Sequence, residues 1–255
     1  MQLGPHVAAL RRFAESHLTG GDDDAFIRLK LDHSMRVLDN AGTILAGEGI
    51  TGHDADLCRL AALYHDMGRF PQFAAYHTFN DRESVNHARL GVLALRTAEL
   101  PPGLCEHDWR VVRFAVAQHN AKTVRPTLPP RLAVPVAVVR DADKLDIFRV
   151  LLDHFEGNGV HGEPVTFCLD DSPGRYSDEV YRAVMEYRTG DYRHLRYTND
   201  FKLLLAGWLY ELRHATSLAL AVERDYPARL FALLPDDPGI RRLRDAVHTF
   251  IRYNS

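Results

Sequence analysis

The 255-residue sequence predicts an all-α fold, and three observations carry that expectation. Apolar residues recur at i, i+3, i+4 and i+7 along most of the chain, alternation with period two is almost absent, and glycine, proline and acidic residues stand where helices would begin or end. The expected helices cover residues 6–18, 23–47, 54–67, 83–99, 106–120, 131–155, 177–188, 199–224 and 239–252. Acidic residues 22–24 suit the first turn of the second of these, and Gly47 and Gly49 close it. Pro101-Pro102-Gly103 separates the fourth from the fifth, and Asn199-Asp200 opens the long late helix. Residues 157–176 change in texture, with glycines, prolines and a β-prone run at 165–169, so a short hairpin or flap is expected near 160–175. Nothing resembles a flexible linker or an internal repeat. The chain reads as a single domain over 1–255, with a core at 28–150 that holds the chemistry and a helical completion at 176–255.

Composition narrows the function classes. A hydrophobic content of 46% supplies an ordinary core, and a net charge of -3 gives no global attraction to long nucleic acid or an anionic membrane. No run approaches the roughly 18 apolar residues of a membrane span, and the N-terminus lacks a basic start followed by an apolar stretch. A cytoplasmic protein without a membrane partner is expected. Cys58, Cys105 and Cys168 are odd in number and far apart, which suggests neither a disulfide framework nor a thiolate zinc site.

Of the 14 histidines, position rather than number selects candidates. His65-Asp66 ends an apolar helical stretch, and His33, His87, His119 and Asp141 each lie on the apolar stripe of their own predicted helix. His33 has Leu29 and Val37 four residues to either side, His87 precedes Leu90 and Ala94, His119 follows Val112 and Ala115, and Asp141 lies between Ala137 and Leu145. Five helices thus offer a polar group to a common interior, where isolated charges would be costly and a divalent cation would compensate them. Imidazole and carboxylate without thiolate suit Mn, Fe, Co, Ni or Zn, with Mg also admitted, as one ion or two. Asp66 is the natural bridge, since its two oxygens can serve ions about 3.5–4 Å apart.

The local wording is His-Ser-Met-Arg-Val at 33–37, His-Asp-Met-Gly-Arg-Phe at 65–70, Asn-His-Ala-Arg-Leu-Gly at 86–91, Gln-His-Asn at 118–120 and Arg-Asp-Ala-Asp-Lys-Leu-Asp at 140–146. In that order it resembles the HD-domain superfamily of metal-dependent phosphohydrolases, over roughly residues 28–150. The resemblance implies an all-helical fold in which His33, His65, Asp66 and Asp141 hold a first ion. His87 and His119 match the extra histidines of two-metal members, with Asp66 shared. The chain departs from the cyclic-dinucleotide phosphodiesterases of the HD-GYP group, which carry paired histidines where this chain has His119-Asn120 and lysine where it has Arg69.

The implied activity is hydrolysis of a phosphate ester, of a nucleotide or another small molecule, by a metal-activated water. Asp66, Arg69 and Lys144 would be catalytic, the last two also binding the phosphate and neutralising its charge. Asp143 is expected to leave the metal face and, with Asp146, to pair with these cations. Two other readings stand beside it. The inositol-oxygenase and phosphonate-cleaving branches of the same superfamily hold two irons with a similar histidine-rich set, and a non-catalytic nucleotide-binding module is the third option. Phe73, Tyr76 and Phe79 could border a substrate pocket, although packing onto the core explains them as well. The other histidines read as surface or structural, and residues 203–220, with Trp208, as core or the contact of a homodimer.

Overall fold

The computed structural model describes residues 1–158, 169–186 and 190–255. Among them every regular element is helical, and the β-structure present is an isolated parallel bridge between Asp170 and Tyr197. The all-α expectation holds. Most of the hairpin or flap expected near 160–175 lies outside the described residues. The chain divides into two compact units, Met1–Asp146 and Ile147–Ser255.

The first unit contains α1 (Gly4–Glu15), α2 (Asp24–Gly47), α3 (Gly52–Tyr64), α4 (Arg69–Tyr76), α5 (His87–Thr97), α6 (Glu106–Gln118) and the larger part of α7 (Pro130–Phe155). α3 is its centre. It packs against α1, α2 and α6, and residues 60–64 are fully buried, as a helix covered on every side must be. α5 lies on α4 and α6. α7 is tied to α2 by Asn40 Nδ2, which donates to the Ala142 carbonyl at 3.0 Å, and to the end of α6 by Arg140, whose Nη1 donates to the carbonyls of Gln118, His119 and Ala121.

Two boundaries in this unit differ from the sequence-based expectation. α3 stops at Tyr64, so that His65-Asp66-Met67-Gly68 forms a turn, and α4 then occupies part of a stretch that reads as loop. Pro71 is the reason the sequence misleads. In the first turn of a helix its missing N–H would have had no partner in any case, so it does not break α4. The second difference is at α5, which begins at His87 because Asn86 caps it by accepting from the Arg89 N–H.

The second unit takes the last turns of α7 together with α8 (Asp178–Met185), α9 (Thr198–Leu209), α10 (Ala215–Glu223), α11 (Tyr226–Ala232) and α12 (Pro238–Asn254). The single helix expected over 199–224 is instead α9 and α10. The turn between them carries no glycine or proline, and it buries Leu212, so packing rather than local propensity sets the break. α11 was not expected either, because Pro227, which would interrupt a helix interior, here starts one. Phe148 lies parallel to Tyr226 at 5.8 Å and meets Trp208 edge-on at 6.0 Å. Buried Asp200 opens α9 by accepting from Ser177 N and Oγ and from the N–H groups of Arg196 and Tyr197.

Candidate metal centre

All the candidate ligands lie in the first unit. His33 projects from the middle of α2, His65 and His119 are the C-terminal caps of α3 and α6, and His87 is the first residue of α5. Asp66 sits in the turn that follows α3. Two helix C-termini therefore meet here, and their partial negative charge favours a cation.

Two groups of donors, buried except for the partly exposed Asp143, form around Asp66. His33, His65 and Asp143 make one, and Asp66, His87 and His119 the other. Within the first, His33 Nε2 lies 3.2 Å from His65 Nε2 and 3.1 Å from Asp143 Oδ1. Within the second, His87 Nε2 and His119 Nε2 are 3.0 Å apart. Asp66 faces both. Its Oδ2 is 3.7 and 3.8 Å from the Nε2 atoms of His33 and His65, while its Oδ1 is 3.4 and 3.7 Å from those of His87 and His119.

The far side of each ring shows why these nitrogens are available. His65 Nδ1 donates to the Ala62 carbonyl at 2.8 Å and His119 Nδ1 to the Val116 carbonyl at 2.7 Å, both being last-turn carbonyls that lack a helical partner. His33 Nδ1 is 2.7 Å from Asp146 Oδ2, and His87 Nδ1 is 2.8 Å from Asp81 Oδ2. A carbonyl or carboxylate can only accept, so the proton belongs on Nδ1 and each Nε2 presents its lone pair inward. Two such pairs about 3 Å apart repel unless something positive lies between them. The donor set fits divalent metal.

The charges agree. Burial would raise the Asp66 carboxyl, but the cations Lys30 and Arg69 beside it hold it well below the usual carboxylate range. Asp143 is partly exposed, and its contacts with His33 and His65 hold it well below the usual carboxylate range. Burial lowers His87 to about 4 against the pull of Asp81, so it is neutral and ready to donate at pH 7. For His33 burial also acts downward, but Asp143 and Asp146 outweigh it and favour the protonated ring, so an ion at Nε2 would displace a proton there.

Of the expected ligands, the structure brings together His33, His65, Asp66, His87 and His119, but Asp141 is in neither group. The carboxylate beside His33 and His65 is Asp143, which the sequence places off the metal face. On α7 Asp141, Ala142, Leu145 and Asp146 are covered while Arg140 and Asp143 form a partly open face, so the apolar stripe does not reveal that the histidines meet the more polar side. Arg69 lies beside Asp66, with Nε 3.4 Å from Oδ1 but without hydrogen-bond geometry. Its Nη1 donates to Gln72 Oε1, the Phe79 carbonyl and Asp81 Oδ1. Lys144 is buried next to Asp143 on α7. Phe79 packs against Phe73 and lies beneath the charges of Lys30 and Arg69, while Tyr76 is exposed.

Lys30, Asp81, Gln72 and Gly68 escape the sequence reading. Lys30 Nζ is 3.3 Å from Asp66 Oδ2, and its signal was present, since it precedes His33 by one helical turn. Gly68 has no positive φ, but a Cβ there would collide with the His87 carbonyl and the backbone of Gly91, so the turn after Asp66 can press against the start of α5 only without a side chain.

Comparison with known proteins agrees with this geometry. The HD domain family model matches residues 31–147. Deoxyguanosinetriphosphate triphosphohydrolase-like proteins of Corynebacterium diphtheriae and Corynebacterium glutamicum are each 43% identical over 67 residues, which is 26% of this chain and 15% of theirs. The chain thus spans about a seventh of the length of these relatives. No solved structure matches it significantly. Residues 31–147 therefore match the HD domain, the family that the sequence fragments resemble. Among the described residues no helix is long and apolar enough to cross a membrane.

Proposed function

We propose that this chain is a metal-dependent phosphohydrolase that cleaves a phosphate ester of a nucleotide or a similar small molecule, with two divalent ions sharing Asp66. The observation that carries this reading is the division of Asp66, one oxygen toward His33 and His65 and the other toward His87 and His119. His33, His65, Asp143 and Asp66 would hold one ion, and His87, His119 and Asp66 the other, with Asp143 taking the place expected for Asp141. When bound, such ions lower the pKa of water toward about 7 and draw charge from phosphoryl oxygens.

The chain's own residues supply the rest. Lys30 keeps part of its side chain in solvent while its ammonium stands beside Asp66, so it is the cation best placed to meet an incoming phosphate. Arg69, with Nη1 engaged by three acceptors, positions the 79–81 loop. Nucleoside triphosphates are the first substrates to try, because the relatives matched over 67 residues are named for that chemistry.

The test begins with metal analysis of protein purified without chelator, followed by turnover of a panel of phosphate esters, dGTP included, with Mn. Two equivalents of metal are expected, with release of phosphate from a monoester and of triphosphate from dGTP, the product of cleaving its one ester bond. Asp66→Ala should lose both ions and all measurable turnover. Two irons with oxygen consumption, and no ester hydrolysis, would replace this reading with that of a di-iron oxygenase.

A further inference from the structure

The four imidazoles are not backed alike. His65 and His119 rest on helix carbonyls, whereas His33 and His87 rest on carboxylates, and those two carboxylates have different surroundings. Asp146, behind His33, is buried and held by Arg36 Nε at 2.8 Å. Asp81, behind His87, belongs to the loop between α4 and α5 and keeps 27% of its side chain in solvent. Both of its oxygens lie within 2.9 Å of His87 Nδ1. Oδ1 also accepts from Gln72 Nε2 at 2.9 Å and from Arg69 Nη1 at 3.1 Å, and Oδ2 from Asn120 Nδ2 at 3.3 Å. One loop carboxylate thus joins α4, His87 and the residue that follows His119.

The two groups also differ in charge. The first has Asp143 in addition to its share of Asp66, while the second has Asp66 as its one carboxylate. From these contacts we infer that Asp81 is a positioning residue for the second ion, fixing His87 and supplying from behind the negative charge that this group lacks. The inference rests on the two-ion reading above. Asp81 lies outside every sequence fragment that marks the HD domain, and Asp146 is its counterpart at the first group.

The experiment is a titration of the metal-free chain with MnCl2, followed by calorimetry and by electron paramagnetic resonance, which distinguishes an isolated Mn ion from a coupled pair. Wild type should bind two equivalents and give a coupled spectrum. Asp81→Asn should keep one tight equivalent, weaken the other about 10–100-fold and show the isolated-ion spectrum. Asp146→Asn should weaken the first equivalent instead, and Asp81→Glu, which restores the charge, should recover part of the lost affinity. Two equivalents of wild-type affinity in Asp81→Asn would overturn the inference. So would equal loss of both equivalents in the two Asn variants, or no recovery in Asp81→Glu should Asp81→Asn fail to fold. A single equivalent in wild type would instead remove the two-ion reading and this inference with it.

Discussion

Asp143 and Asp141 are two residues apart on α7, about 200° around the helix, so at most one can face His33 and His65. The 3.1 Å approach of Asp143 to His33 selects it. Asp143→Asn should therefore weaken one ion by more than the ~10–100-fold that loss of an outer partner costs, whereas Asp141→Asn should retain both equivalents in the same titration. Cys58 gives a second prediction at this scale. Burial, aided by Asp54, pushes its thiol up from 9.0 to about 12. An unfolded thiol releases its proton near 9.0 while the folded one keeps it, so this contribution to stability is complete below pH 9 and is lost as pH rises toward 12. The slope is at most about 1.4 kcal/mol per pH unit. Urea unfolding at pH 8, 9 and 10 should show the decline, and Cys58→Ala should flatten it.

Among the elements, the turn between α3 and α4 matters most, because it carries Asp66 and is pressed against α5. Gly68→Ala should cost about 3 kcal/mol or more, the upper range for overpacking, since the obstruction is backbone that cannot rotate aside. Gly91→Ala is the contrast. There the nearest obstacle is the Val116 Cγ1 methyl at 3.1 Å, and a helical alanine recovers up to about 1 kcal/mol, so its urea midpoint should stay near wild type. How legible each element was follows from the same physics. Helices with one buried face, such as α5 and α12, announce themselves by period. α4 and α11 begin with proline in the first turn, where it is harmless but reads as a stop, and the turn after α9 has no local signal at all.

For the whole molecule, α7 belongs to both compact units, carrying Asp143 in its earlier turns and Phe148, Leu151 and Leu152 in its later ones. We propose that the chain unfolds as one domain, because melting either part of this helix removes core residues from its own unit. The two tryptophans report separately, Trp109 in the first unit and Trp208 in the second. With one replaced by Phe in each variant, their urea transitions should coincide, and Mn at 100 times its dissociation constant should move both by about 2.7 kcal/mol, a shift absent in Asp66→Ala. Separate transitions, with Mn moving that of Trp109 alone, would show two domains instead.

The amino-acid sequence by itself determined the helical class and singled out five residues that meet at the site, His33, His65, Asp66, His87 and His119. Each of these follows from local periodicity or from polar groups set in apolar stripes. Tertiary structure alone decided that Asp143 rather than Asp141 stands beside His33 and His65, that Arg69 grips a loop and that Asp81 stands behind His87. The reason is geometric. Rotation of a helix that carries carboxylates on more than one face, and the path of a loop such as 77–86, are set by through-space packing that a one-dimensional pattern does not encode.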